Sequence, residues 1–429
     1  LFAVAGYRTP TIQRVRLGAG RDGRLTAISH EVVEQTSTVR EFAEQTAVAT
    51  RMLYAAPNRR TAHRLARLDV PTPAWMRAPG ECPGMFALES AMDELAIACG
   101  LDPVELRIRN EPAVDPEHDI PFSSRNLVAC LREGAARFGW ADRDPRPASR
   151  RDGRWLVGTG VAASTYPARM RAASASAAVD PSGAFTVRID ATDIGTGART
   201  ALTIIAAEAL RVPPDRVRVE IGDSDLPPAG LAGGSMGTSS WGTAVSRACV
   251  ALREALEARD LVVPDDGLEV AVDTAAEVAA LPRLSRYAFG AQFAEVRVDV
   301  DTGEVRVPRL IGIFAAGRII NPRTARSQLL GGMIMGLSMA LHEESVMDPR
   351  FGDYVNHDLA SYHIAANADV LDLQADWIDE DDPLVNPIGA KGIGEIGIVG
   401  TAAAIANAVH HATGIRIREL PIHLERLLG

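Results

Sequence analysis

The segment Gly389-Ala390-Lys391-Gly392-Ile393-Gly394-Glu395-Ile396-Gly397 sets four glycines around one carboxylate, and it holds the only lysine among 45 basic residues. Glycine lets backbone N–H groups approach a ligand that side chains would keep away. A glutamate confined by such a loop is poorly hydrated and suited to taking up a proton. Glu395 is therefore the candidate general base.

Three further Gly-rich turns share the pattern: Gly195-Thr196-Gly197, Gly233-Gly234-Ser235 and Gly331-Gly332. Each is expected beside a helix start, where unsatisfied N–H groups and a partial positive charge make an anion cradle. One alone is a weak signal, because glycine also marks ordinary turns. Together, with no Walker lysine motif, they suit a large anionic ligand held by main chain. The segment from Gly392 to Gly397 also spells GxGxxG with Glu419 beyond it, the pattern of a dinucleotide site. Pro383 and Pro387 interrupt the buried strand that such a site requires, and too little chain follows for the rest of a mononucleotide-binding half.

The 429 residues suggest two or three domains, and a net charge of −10 argues against a nucleic-acid partner. No apolar run is long enough to span a bilayer, so membrane insertion is not expected. Cys82, Cys99, Cys130 and Cys249 are scattered and form no CxxC pair, which excludes an iron–sulfur centre or structural zinc built from them alone. They read as free thiols in a reducing compartment. His410 and His411 are adjacent and point apart on a helix, and HExxH is absent from the sequence.

The elements that must position these residues follow from periodicity. Residues 15–33 read as a hairpin about Arg21-Asp22-Gly23. A helix over 84–99 stops at Gly100, and another starts at Asp102-Pro103 with Asp as its cap. Residues 113–153, rich in Pro, Asp and Arg, read as a long connection or boundary. Alternating strands at Phe185, Val187, Ile189 and at Val217, Val219, Ile221 each lead through a glycine turn into a helix, over 200–210 and 244–256. A hairpin turns at Asp301-Thr302-Gly303, a helix covers 328–341, and the acidic segment 378–383 reads as a solvated loop. The fold class is α+β, with mixed sheets and flanking helices.

Five motifs then occur in one order. They are Met76-Arg77-Ala78-Pro79-Gly80 with Glu89, Asp93-Glu94-Leu95-Ala96 and Asp102-Pro103; Asp193-Ile194-Gly195-Thr196-Gly197; Gly233-Gly234-Ser235; Asn321-Pro322 with Gln328 and Gly331-Gly332; and the closing glycine loop. The series resembles the molybdenum-cofactor subunit of the xanthine dehydrogenase and aldehyde oxidase family over nearly the whole chain. The resemblance implies elongated molybdenum-cofactor-binding domains, residues 1–112 forming the C-terminal part of the first and 113–429 the second. It implies that Glu395 is the base that activates an oxygen on molybdenum. It implies cofactor contacts from Arg77, Gly195, Thr196, Gly197, Gly233, Gly234, Ser235, Gln328, Gly331, Lys391, Gly392 and Gly394. The pterin holds the metal, with no ligand directly from protein.

Branch follows from particular residues. Ala78 stands where the carbon monoxide dehydrogenases carry a copper-binding cysteine, and Cys82 lies too far along. Pro79 and Ser164 stand at the positions matched to the stacking phenylalanines of purine hydroxylases, and neither can stack. Ser164-Thr165-Tyr166-Pro167-Ala168-Arg169 resembles the bacterial aldehyde oxidoreductases that use molybdopterin cytosine dinucleotide, which makes Arg169 a substrate-orienting charge. The expectation is oxidation of a small aldehyde to a carboxylic acid with water as oxygen source. Electrons would pass to an iron–sulfur subunit and an FAD subunit, in the cytoplasm, or in the periplasm only by co-export with a partner. A purine or other N-heterocycle dehydrogenase subunit, and a non-catalytic fragment that keeps the fold without cofactor, remain the alternatives. The family's upstream cofactor loop has no counterpart here and 258–285 is short, so a truncated, split or partly covered subunit is expected.

Overall fold

The computed structural model describes residues 5–428. Strands β1 (Thr11–Ala19) and β2 (Leu25–Ser37) form the expected antiparallel hairpin, and β3 (Asn58–Leu68) joins β2 in parallel. Along β2 the residues Ile28, His30, Val32 and Glu34 turn inward at the two-residue period of a strand. Helix α1 (Glu81–Cys99) stops at the left-handed Gly100, whose N–H reaches the carbonyls of Ala96 and Ile97. Helix α2 (Pro103–Arg109) starts on the Asp102 carboxylate, which accepts from the N–H groups of Val104 at 2.8 Å and Glu105 at 3.2 Å.

The stretch 113–153 is more than a connection. It contains α3 (Leu127–Phe138), whose Leu127, Cys130, Leu131, Gly134 and Phe138 face the core at helical spacing. The flanking Pro, Asp and Arg residues dominate the composition and hide that stripe. Beyond it come β4 (Arg151–Asp152), β5 (Trp155–Pro167), β6 (Ser174–Val179), β7 (Phe185–Arg188), α4 (Ala198–Leu210) and β8 (Val217–Glu220). Next are α5 (Gly237–Glu257), β9 (Leu268–Asp273), α6 (Ala275–Ala279), β10 (Tyr287–Asp299) and β11 (Val305–Ala315). Helix α7 (Pro322–Leu341) begins earlier than its apolar spacing suggests, because the Asn321 side chain caps it and Pro322 fits the first turn. The small hairpin β12 (Met347–Asp348) and β13 (Asp353–Tyr354), strand β14 (Asp372–Trp377), α8 (Ile396–Val399) and α9 (Thr401–Thr413) complete the chain.

The strands make a five-stranded sheet in the order β14-β11-β10-β5-β4 and a four-stranded sheet in the order β8-β7-β6-β9. Both are mixed, as β11 pairs with β14 in parallel and β10 antiparallel, and β7 does the same with β8 and β6. The GxGxxG follows a loop rather than a strand, so the dinucleotide-site reading has no structural support.

Among the described residues two apolar cores result. The larger joins α1, α2, α3, β5, β10, β11, α7 and α9, and the smaller is built from residues 173–272 with Ile388 and Ala390. Leu106 and Leu131, on either side of residue 112, belong to the same core. Buried polar groups lock the larger core. Arg107 donates to Glu89 at 2.7 Å with both side chains 0% exposed, and Tyr54 donates to the same carboxylate at 2.6 Å. Ala163 N–H of β5 adds a third donor at 2.5 Å, tying two helices to the central sheet. Removing one partner of such a pair leaves a bare charge in the interior. Arg107→Met should therefore cost about 3–5 kcal/mol and lower the apparent melting temperature by several degrees. Thermal unfolding of the variant checks this, and an unchanged midpoint would show that Glu89 is satisfied without its arginine.

Candidate active site

The acidic segment 378–383 is not a solvated surface. Glu380 and Asp382 are buried, and they face the Lys391 ammonium at 3.0 and 3.3 Å, with all three side chains at most 1% exposed. Lys391 also donates to Ser124 Oγ at 2.5 Å, while Ser123 Oγ and Asn126 Nδ2, each 2.8 Å away, donate to Asp382 and Glu380. Burial works to raise the Glu380 acid, but the Lys391 charge, the Ser124 hydroxyl and the Gly317 N–H outweigh it and hold it below the ordinary glutamate value. Sequence reading missed this because a run of acids looks solvated until a buried cation faces it.

The expected role of Lys391 as a cofactor donor is corrected by the same geometry. Its ammonium is committed to Ser124, Glu380 and Asp382, and its N–H donates to the Ala316 carbonyl at 3.0 Å. It anchors the loop and leaves ligand contacts to the residues after it.

From that anchor the chain runs to Glu395. One carboxylate oxygen accepts from Ala78 N–H at 3.2 Å and the other from Ser235 Oγ at 2.5 Å. Each oxygen keeps a lone pair for a further donor or proton. Ala78 aims its N–H by adopting φ 56°, a left-handed conformation uncommon outside glycine. Arg77 next to it donates from Nε to the Gly394 carbonyl at 2.6 Å and from Nη2 to the Gln328 carbonyl at 2.8 Å. It thereby clamps the loop to α7. Glu44 supports this turn from behind, accepting from Gly80 N–H at 2.9 Å and from Arg8 at 2.7 Å. Gly392 has no alternative at its position, because a Cβ there would stand 1.8 Å from the Ser235 carbonyl oxygen.

The expected cradles behave differently from one another. Gly233, Gly234 and Ser235 lead into the 21-residue α5, which has no side-chain cap, and among the described residues their N–H groups donate to no protein atom. That is an open donor set at a helix N-terminus. The turn at Gly195, Thr196 and Gly197 is closed by its own chain: Asp193 Oδ1 accepts from Gly195 N–H at 3.0 Å and from Gly197 N–H at 3.1 Å. Its donors are spoken for in this conformation. Gly331 and Gly332 lie inside α7 rather than beside a helix start. A Cβ on Gly332 would meet Gly397 Cα at 2.8 Å, so this glycine serves close packing, and Gly331 faces Arg77 Nη1. Gln328 sits on the same helix beside Gly394. Open N–H donors, Gln328 and Gly394 around one carboxylate fit an anionic, hydrogen-bonding cofactor.

Arg169 follows directly on β5 and is exposed, and among the described residues its guanidinium has no carboxylate partner within 4.0 Å. Tyr166 and Glu81, neither singled out by the sequence reading, are buried. Burial and the nearby Glu395 and Glu81 carboxylates push the Tyr166 phenol up. Burial pushes the Glu81 acid up to about 8. The helix was expected to start at residue 84, which left Glu81 outside it, whereas it is the first residue of α1. Ser164 is buried inside the sheet against Gly290. Cys82 is likewise buried, with its Sγ 3.6 Å from Met339 Sδ, and burial pushes its thiol up to about 11.

Known proteins resemble this chain in sequence and in fold. Family profiles described as molybdopterin cofactor-binding domain match residues 1–111, and residues 133–280 and 274–371. The chain is 43% identical to the aldehyde oxidoreductase molybdenum-binding subunit PaoC of Escherichia coli over 98% of its length, and it spans 61% of that relative. It is 29% identical to a putative xanthine dehydrogenase molybdenum-binding subunit, XdhA, of the same species, again spanning 61% of the relative. Among solved structures, the aldehyde oxidoreductase of Desulfovibrio gigas superposes with a TM-score of 0.85 at 25% identity, over 99% of this chain and 49% of that one. Quinoline 2-oxidoreductase of Pseudomonas putida gives 0.87 at 23% identity, over 99% of this chain and 62% of that one, a likeness of fold.

Lys391→Met would leave Glu380 and Asp382 unpaired in the interior, and the loss expected is about 3–5 kcal/mol with faster proteolysis between residues 378 and 395. Because the Glu380 acid is lowered in the fold, its stabilisation is complete above the ordinary carboxylate range. It fades as pH falls through the lowered value, so the wild-type advantage over the variant should narrow in acid. Melting and limited proteolysis across pH check both points, and a variant as stable as wild type would contradict the anchor.

Proposed function

The chain belongs to the molybdopterin cofactor-binding family, and from that premise we propose that it is the catalytic portion of a molybdenum hydroxylase subunit that oxidises aldehydes to carboxylic acids. The observation that carries this reading is the Glu395 carboxylate, held by Ala78 N–H and Ser235 Oγ beside the open N–H groups of Gly233, Gly234 and Ser235. The similarity to PaoC supports an aldehyde as substrate. Pro79 supplies no aromatic face and Ser164 is sealed within the sheet, which disfavours a stacked purine.

The pterin-held molybdenum would supply a water-derived oxygen activated for attack and would accept the electron pair leaving the substrate. The residues of this chain do the rest. Gly233, Gly234, Ser235, Gln328, Gly331 and Gly394 hold the cofactor, which we take to be the cytosine dinucleotide form. Glu395 takes the proton from the attacking oxygen at whichever carboxylate lone pair Ala78 and Ser235 leave free. Arg169 faces the carbonyl oxygen and steadies the negative charge that grows there. Ala78 and the buried Cys82 leave no thiolate for a copper ion. Cys82, Cys99, Cys130 and Cys249 are free and apart, so electrons are assigned to an iron–sulfur subunit and then an FAD subunit, and the complex to the reducing cytoplasm. Among the described residues no helix is long and apolar enough to cross a membrane.

Glu395→Gln keeps the shape of the loop and removes its base. In the assembled enzyme turnover should fall ~10²–10⁴-fold with molybdenum content unchanged, and near-normal turnover would remove Glu395 from the base role. Arg169→Ala should raise KM for an aldehyde and leave molybdenum content alone. Loss of the metal in this variant would instead make Arg169 a cofactor residue.

A further inference from the structure

Arg77 and Ala78 share one peptide group, and its two polar ends meet opposite charges. The Ala78 N–H donates to Glu395 Oε1 at 3.2 Å, and the Arg77 carbonyl oxygen accepts from Arg8 Nη2 at 2.5 Å. A trans peptide is planar and points its C=O and N–H in opposite directions, so a donor that fixes the oxygen also fixes the direction of the hydrogen. Arg8 thus sets the aim of the Ala78 N–H from the far side of the peptide.

Arg8 is itself held. Its Nη1 donates to Glu44 Oε1 at 2.7 Å, with the glutamate side chain 0% exposed and the arginine 16%. The same Glu44 oxygen accepts from Gly80 N–H at 2.9 Å. The pair therefore grips the turn at both ends, Arg77 through Arg8 and Gly80 through Glu44, around the left-handed Ala78. Thr9, next to Arg8, donates its hydroxyl to the Gln35 carbonyl at 2.7 Å and so ties this backbone to β2. A Cβ on Gly80 would stand 2.5 Å from the Gln45 carbonyl oxygen, so the Glu44 segment and the turn lie in direct contact. Among the described residues Glu44 Oε2 has no hydrogen-bond partner, whereas both oxygens of the buried Glu89 have donors. A buried acid that leaves one oxygen unpaired costs stability, and the contacts Glu44 does make all serve the turn.

We propose that Arg8, anchored by Glu44, is a positioning residue for the general base: its guanidinium orients and polarises the Arg77–Ala78 peptide, so that the N–H facing Glu395 is a fixed and strengthened donor. This rests on the reading of Glu395 as the base. With Ala78 fixed on one carboxylate oxygen and Ser235 on the other, the carboxylate cannot swing, and its remaining lone pairs keep one direction toward the attacking oxygen.

The test removes both charges together, so that no bare charge is left in the interior. Arg8→Gln/Glu44→Gln is prepared in the assembled, cofactor-loaded enzyme, alone and combined with Glu395→Gln, beside Arg8→Lys. In the paired variant kcat for an aldehyde should fall about ten- to a hundredfold, with KM and molybdenum content close to wild type. Arg8→Lys keeps a cation beside the Arg77 carbonyl and should retain more activity than the paired variant. In the Glu395→Gln background the paired change should alter kcat less than about twofold, because no base is left to position. Amide hydrogen exchange at Ala78 is a readout independent of turnover, and it should quicken about tenfold or more in the paired variant while α1 keeps its protection. Wild-type kcat in the paired variant, unchanged exchange at Ala78, loss of molybdenum, or an equal fall in both backgrounds overturns the proposal. If Glu395→Gln alone keeps near-normal turnover, the base reading fails and the proposal falls with it. A large loss in Glu395→Gln beside a wild-type paired variant removes the role of Arg8 alone.

Discussion

An ammonium group in a dry interior is tolerable only where carboxylates surround it, and the Lys391 site depends on that constraint. The lysine brings together four segments that are distant in sequence: the start of α3, the end of β11, the 378–383 loop and the glycine loop. A hydrophobic contact of similar area would hold them less specifically, because it fixes neither direction nor partner. Once Lys391 is placed, the next four residues have little freedom. Gly392 must pass against Ser235, Gly394 must present its carbonyl to Arg77, and Glu395 then meets Ala78 and Ser235.

The loop also bridges the two cores. Ile388 and Ala390 pack into the smaller one, while Ile396 and Ile398 pack into the larger. Glu395 sits at the crossing, and its two donors come from opposite sides: Ala78 from the larger core and Ser235 from the loop that opens α5 over the smaller. A change in the relative placement of the cores would move both donors, so the carboxylate reports on their alignment.

Much of this was legible in the sequence. The hairpin at Arg21–Gly23, the stop at Gly100 and the cap at Asp102 were all readable, because each rests on a local rule of turn or helix-end chemistry. The Glu395 loop was legible as well, since glycine density around a single acid is unusual. What local patterns could not convey was partnership across hundreds of residues. Glu380 and Asp382 looked solvated until Lys391 was placed against them, and the Gly195–Gly197 turn looked open until Asp193 folded back on it. Helix α3 escaped notice because its apolar stripe is framed by segments of loop-like composition. Glu81 escaped because the apolar spacing begins only at Met85, whereas the helix starts at Glu81 itself.

The central claim is that the open N–H groups of Gly233–Ser235 and the Glu395 carboxylate face one and the same bound cofactor. A crystal structure of the cofactor-loaded protein with a slowly turned-over aldehyde or an inhibitor shaped like one tests this most directly. The account predicts a cofactor oxygen within hydrogen-bond distance of at least one of these three N–H groups, with Glu395 within hydrogen-bond reach of the reacting end of the inhibitor. A cofactor seated away from the Gly233–Ser235 loop, with Glu395 out of contact with the inhibitor, would contradict it.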